Sequence, residues 1–345
     1  MTTTNERMAD NAVDRYVQER MRADHIPGLA LTVIRGVEVI LQRGYGFANL
    51  EYRAPVTADS VFEICSISKQ FTVAAAMLLV EAGVLGVDDT LHSYLPDLPE
   101  AWQRITVRHL LTATSGIKDY LNDIHDDAVP IQASSQTVIQ YVSTHDLNFP
   151  PGERWSYSNS GFVLLSLLIE QRSGLPYREF LQRRILAPLQ LHATCANDLR
   201  RVIPNRVAGY LWEDAVWRNR RVSFAGKQSD GDGELVSTLA DLIKWDAAWR
   251  SNQFLLPSSL QQIWTPATVN SGTVAQTSLD SDYGFGWFLG EHEGHRVYWT
   301  PGAGEGFSTS LMRFPDDDLT VIVLSNCDEF LWADALARGI GALVW

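Results

Sequence analysis

Strand-forming runs lie at both ends of this chain, and the stretch between them is patterned for helices and loops. Leu29 to Ile34 and Val37 to Leu41 are apolar runs joined at Arg35-Gly36, a β-hairpin signature, and Gly44 to Leu50 extends the second run. In the last third, Gly284 to Leu289, Arg296 to Trp299, Phe307 to Phe314 and Leu319 to Leu324 read as strands. The turn Pro315-Asp-Asp-Asp318 joins the last two. Hairpins pair strands antiparallel, because parallel pairing needs long crossovers. Helical spacing covers 7–25, 67–82, 163–171, 177–186, 238–250 and 329–344, with Pro96, Pro99, Pro150 and Pro151 as punctuation. The expected fold is α/β: an antiparallel sheet built from both chain ends, flanked by helices, with a mainly helical insertion. Residues 1–83 and 206–345 form the expected α/β domain and 84–205 the helical one, with the active site at their interface.

A chain of 345 residues buries roughly 75% of its unfolded surface and needs no metal or disulfide to hold a core. Lys plus Arg number 28 against 41 Asp plus Glu, a net charge of −13. That field repels phosphate backbones, so neither nucleic acid nor an anionic membrane is an expected partner. Cys65, Cys195 and Cys327 are odd in number and widely spaced, which argues against a disulfide framework or zinc ribbon and fits a reducing compartment. No apolar leader is visible before Asp24, and the longest apolar run, Val73 to Val80, is far short of a membrane span. The expected location is cytoplasmic.

Cofactor motifs are missing from the sequence: there is no Walker A loop, Rossmann fingerprint, H-E-x-x-H or G-x-S-x-G. No cofactor and no metal is expected. His292 and His295 read as solvated surface histidines, and Asp230-Gly-Asp-Gly-Glu234 as a plain turn that lacks the features of a calcium loop. Two S-x-x-K patterns remain. Ser115 to Lys118 falls in a Thr-Ser-Gly turn, whereas Ser66-Ile-Ser-Lys69 opens the apolar helix 67–82. On a helix, residues i and i+3 share a face, which sets the Lys69 amine beside the Ser66 hydroxyl at a helix N-terminus. A serine hydroxyl is a weak nucleophile until a base stands next to it. The competing reading is an N-cap serine followed by an ordinary helical lysine. Against it, a charge on the inner end of a buried helix demands partners. Tyr157-Ser-Asn159 lies 91 residues after Ser66, in a turn before an apolar helix. Its phenol can serve as a general base near Lys69, and Asn159 can hold the amine or the substrate.

In these motifs the chain resembles the serine β-lactamase-like superfamily, nearest its class C β-lactamase, D-aminopeptidase and esterase branch. Supporting text includes Thr114-Ser-Gly116, Pro151-Gly-Glu153, Leu235-Val-Ser-Thr238, Tyr283-Gly-Phe-Gly-Trp287 and Gly306-Phe307, and the match covers roughly residues 25–327. The resemblance implies a β-lactamase/transpeptidase-like fold, catalytic roles for Ser66, Lys69 and Tyr157, a supporting role for Asn159, and an oxyanion hole from the Ser66 and Ala303 N–H groups. It also implies a third motif, Lys-Thr-Gly or His-x-Gly, where this chain has Thr300-Pro301-Gly302. Thr300 then occupies the cationic position, or Trp299 with a shift of one residue. Either way a positive charge is missing, which favours neutral esters or amides over β-lactams and D-Ala-D-Ala peptides.

The expected activity is a serine hydrolase or acyltransferase working through an acyl-Ser66 intermediate, foremost a carboxylesterase-like activity on a small ester or amide. A D-amino-acid amidase or peptidase and a biosynthetic transacylase are the alternatives within the same chemistry. Eleven tryptophans, Trp155, Trp212, Trp217 and Trp299 among them, favour an apolar acyl group. The alternative of another class is an idle member of the fold, kept for binding or assembly, since fold does not dictate function.

Overall fold

The computed structural model describes residues 4–122, 133–220, 230–251 and 254–345. Helix α1 (Thr4–Ala23) ends before Pro27, and Gly36, at φ +60°, turns β1 (Gly28–Arg35) into β2 (Glu38–Asn49). Short β3 (Ala54–Pro55) and β4 (Phe62–Glu63) lead into α2 (Ser68–Glu81) through a single tight turn at Cys65–Ile67. The middle of the chain carries α3 (Val107–Leu111), α4 (Ser135–Ser143), α5 (Asn159–Ser173), α6 (Tyr177–Leu181), β5 (Cys195–Ala196) and the hairpin β6 (Tyr210–Glu213) and β7 (Val216–Asn219). After β8 (Leu235–Ser237) come α7 (Leu239–Arg250) and α8 (Pro257–Ile263). The chain closes with β9 (Asp282–Tyr283), β10 (Phe288–His292), β11 (His295–Gly304), β12 (Phe307–Phe314), β13 (Leu319–Ser325) and α9 (Trp332–Val344).

Eight strands form one sheet in the order β3-β2-β1-β13-β12-β11-β10-β9, each pair antiparallel, so the first and last thirds of the chain meet at β1 and β13. The largely apolar runs of β1 and β13 are explained by burial on both faces. Leu29, Leu31, Val33, Val321 and Val323 pack under α1 and α9 with Val13, Val17 and Leu336. Their alternates Ala30, Ile34, Ile322 and Leu324 join a second core with Phe71 and Met77 of α2, Val163 and Leu165 of α5, and Trp245 of α7. This is the period of two expected of a strand. The α/β architecture read from the sequence is the one observed.

Two strand boundaries differ from the sequence reading. Residues 284–287 form a turn, with Gly286 at φ +72° and the Gly284 N–H bonded to Trp287 O at 2.8 Å, and the strand starts only at Phe288. Conversely, β11 runs on through Pro301, Gly302 and Gly304, because Tyr298–Gly304 pair in register with Phe307–Arg313 of β12. Proline and glycine disfavour strands, but they are tolerated at an edge. β10 stops pairing at Trp299, so beyond it β11 carries β12 on one side only.

Candidate active site

β4 pairs with β8, and the Ile64 N–H reaches Leu235 O at 3.0 Å, which anchors the chain just before the turn into α2. Cys65 then adopts φ +47°, a left-handed conformation unusual for a residue with a side chain. It reverses the chain so that Ser66 is half-buried while Ile64, Cys65 and Ile67 to Met77 are buried. α2 is enclosed all round, so each of its polar side chains needs a partner. Ser68 Oγ accepts the Leu235 N–H at 3.1 Å. Gln70 Nε2 donates to Thr300 Oγ1 at 2.9 Å, while its carbonyl accepts the Trp245 indole N–H at 2.8 Å. Thr72 Oγ1 donates to Gly231 O at 2.7 Å and lies 2.6 Å from the Tyr177 hydroxyl.

Lys69 has no exposed surface. Its amine donates to Ser66 Oγ at 3.2 Å, to Asn159 Oδ1 at 2.7 Å and to the Asp232 carbonyl. The rings of Tyr157 and Phe162 close over it, with centroids 5.0 and 5.4 Å from Nζ. A buried cation survives only with such compensation. The amine and the Tyr157 phenol meet through the ring face. Tyr157 is half-buried, lies parallel to Phe288 at 6.4 Å and 12°, and is flanked by Trp155 at 6.3 Å. The helix that follows is capped by Ser158, whose Oγ accepts the Gly161 N–H at 3.1 Å. Asn159 is therefore the first residue of α5 rather than its cap, and its side chain is free to face Lys69.

Third-motif residues divide between the two faces of β11. Thr300 is buried toward α2, where it accepts from Gln70 and donates to Gly286 O at 3.4 Å. Trp299 points to the α9 side, stacked on Phe288 at 5.4 Å, with the Arg338 guanidinium 4.5 Å from its ring. Gly302 passes so near the Cys65–Ile67 turn that a Cβ there would collide with Thr309 Oγ1 and with Ile64 O at 2.6 Å and would crowd Cys65 Cβ at 3.2 Å. Ala303 is exposed on the stretch of β11 that pairs with β12 alone. The structure thus brings Ser66, Lys69, Tyr157 and Asn159 together and lays Gly302 alongside, while Thr300 and Trp299 are turned into the two cores.

The Beta-lactamase family model matches residues 13–343. The chain belongs to the Beta-lactamase family. It is 32% identical over 317 residues to penicillin-binding protein 4* of Bacillus subtilis, covering 85% of this chain and 67% of that protein. It is 30% identical over 322 residues to the D-aminopeptidase of Brucella anthropi, covering 92% of this chain but 59% of that one. This Beta-lactamase family chain thus spans less than two thirds of the D-aminopeptidases it matches. Among solved structures, the octameric penicillin-binding protein homologue of Pyrococcus abyssi superposes with a TM-score of 0.85 at 25% identity, over 97% of this chain and 77% of that one. EstCE1, a hydrolase with promiscuous acyltransferase activity, shares the fold with a TM-score of 0.82 at 19% identity, over 99% and 100% of the two chains. Penicillin-binding proteins and D-aminopeptidases thus stand among the relatives of this Beta-lactamase family chain. No helix among the described residues is long and apolar enough to cross a membrane.

Several residues around the Beta-lactamase family motifs were not legible in the sequence. Asp119 is buried and accepts from the Asn159 backbone N–H at 3.2 Å and from its amide Nδ2 at 2.9 Å. Burial pushes its carboxyl above the usual range, against the pull of these N–H donors and of Lys69. The Asp230–Glu234 segment bends as expected of a turn, but its acids face inward. Asp232 and Glu234 are buried, Tyr120 donates to Asp232 Oδ2 at 2.7 Å, and Arg178 pairs with Asp230 at 2.6 Å. Glu234 Oε2 accepts the N–H groups of Gly231 and Gly233, and burial beside Asp230 and Asp232 pushes its carboxyl up to about 8. The one local hint was the apolar run Leu235-Val236 directly after these acids. His292 and His295 are half-buried against Trp345, the ring of His295 at 4.1 Å, and not fully solvated as expected.

Proposed function

We propose that this chain is a serine acyl hydrolase acting on small neutral esters through an acyl-Ser66 intermediate. The observation that carries the reading is the buried Lys69 amine, 3.2 Å from the accessible Ser66 hydroxyl and held there by Asn159 and Asp232. Ser66 Oγ attacks the carbonyl carbon, and its proton passes to the base formed by Lys69 and Tyr157. The N–H groups of Ser66 and Ala303 receive the oxyanion, a role supported by the approach of Gly302 to Cys65. Collapse of the tetrahedral adduct breaks the bond to the leaving group, which takes the proton through Tyr157. Water, or another acyl acceptor, then attacks the ester carbon and releases Ser66. The engagement of Thr300 with Gln70 and Gly286 supports neutral substrates, since no cation stands at that position to hold a carboxylate.

The D-aminopeptidase relatives favour a second reading, hydrolysis of D-amino-acid amides. A fluorophosphonate that adds its mass to the wild-type chain and not to Ser66→Ala tests the intermediate. A panel of p-nitrophenyl esters, D-amino-acid amides and nitrocefin separates the substrates. Turnover confined to the amides replaces the ester reading with the second, and no adduct on the wild-type chain removes both.

A further inference from the structure

Asn159 links two groups of opposite character. Lys69 donates to the Oδ1 end of the amide; an ionised Asp119 can only accept and meets the Nδ2 end. One orientation of the amide satisfies both neighbours, and a half-turn would set N–H against N–H and oxygen against carboxylate. Asp119 is itself held from two sides. Its Oδ1 accepts the Leu121 N–H at 3.1 Å, and its Oδ2 takes both the backbone and side-chain N–H of Asn159. Three N–H donors converging on one buried group match an ionised carboxylate. The next residue ties the same segment to the opposite wall of the lysine pocket. The Tyr120 N–H bonds Ser160 Oγ at 2.9 Å, and its hydroxyl bonds Asp232, whose carbonyl accepts from Lys69.

We propose that Asp119 is a positioning residue: its carboxylate locks the Asn159 amide with Oδ1 toward Lys69 and so keeps the amine at the Ser66 hydroxyl. The proposal rests on the acyl-Ser66 reading above. It makes Asp119 act through Asn159 and not on the substrate. It also places a negative charge in the same closed pocket as the base, so its removal eases deprotonation whether amine or phenol is the base.

The test is the rate of fluorophosphonate labelling and of p-nitrophenyl ester turnover in the full chain, for Asp119→Ala, Asn159→Ala and the double variant, as a function of pH. Asp119→Ala is expected to slow labelling about ten- to a hundred-fold, mainly in kcat, and to move the acid limb of the pH profile to lower pH. In the Asn159→Ala background the same substitution is expected to add little, because the group it orients is gone. Equal slowing in both backgrounds, an unmoved acid limb, or labelling at the wild-type rate overturns the proposal. Should Asp119→Ala not fold, Asp119→Asn carries the test. It keeps one acceptor but removes the charge, so slower labelling with a lowered limb supports the proposal and wild-type behaviour overturns it. Label retained by Ser66→Ala defeats the acyl-Ser66 reading itself, a result distinct from any outcome at Asp119.

Discussion

At Lys69 the proposed chemistry and the packing share one side chain. Lys69→Ala removes the proposed base together with the N–H donor to the Asp232 carbonyl and the Asn159 amide oxygen. Ester turnover is expected to fall by about a hundred- to ten-thousand-fold, and Tyr157→Phe is expected to fall in the same range. Near-wild-type turnover by either variant contradicts the base assigned here. Thr300→Val leaves the Gln70 amide without its acceptor inside the core. Its expected cost is about 1–3 kcal/mol in urea unfolding. That Ser66, Lys69, Tyr157 and Asn159 lie together was legible because the motifs are written as fixed spacings along one helix or one turn. Asp119, Asp232 and Gln70 were not, since each reaches its partner across 40, 163 and 230 residues of chain.

Elements rather than residues decide where the third motif lies. A propensity reading ends β11 at Trp299, before Pro301 and Gly302, yet pairing with β12 carries it to Gly304. Local preference was overridden by a neighbour that the sequence does not place beside it. α7 shows the opposite case, since the Thr238 cap and the helix to Arg250 were legible and both form, with Thr238 Oγ1 accepting the Asp241 N–H at 3.3 Å. What local pattern could not give is the second use of that first turn. Asp241 Oδ2 accepts the N–H groups of Ala193 and Thr194 at 2.8 Å and the Thr194 hydroxyl at 2.9 Å, tying the approach to β5 onto α7. Asp241→Ala orphans the two backbone N–H donors, while the Thr194 hydroxyl keeps Ser237 Oγ at 2.8 Å, and is expected to cost about 2–4 kcal/mol. Unchanged denaturant midpoints would show that this tie carries no weight.

Over the whole molecule, stability depends on pH through groups buried between layers. Asp334 lies between α9 and the sheet and accepts from Ser310 Oγ at 2.5 Å. Burial pushes its carboxyl up from 3.8 to about 6, against the pull of Ser310 and Arg338. The folded state therefore holds this proton more tightly than the unfolded chain. The stability it contributes is full below about pH 4 and is lost as pH rises through 6. Asp334→Asn does not titrate, so urea unfolding of the wild type is expected to weaken against the variant between pH 4 and 7, by up to about 3 kcal/mol. A gap that stays constant across this range refutes the assignment. The sheet order was legible in outline because both chain ends carry strands. The single core shared by α2, α5, α7 and one face of the sheet was not, because apolar residues fall on every side of α2 and give it no preferred face. That burial leaves the helix behind Ser66 no room to drift. On the proposed reading, new specificities in such a scaffold have to come from the rim around Ser66, because reshaping the interior would dismantle the site along with its foundation.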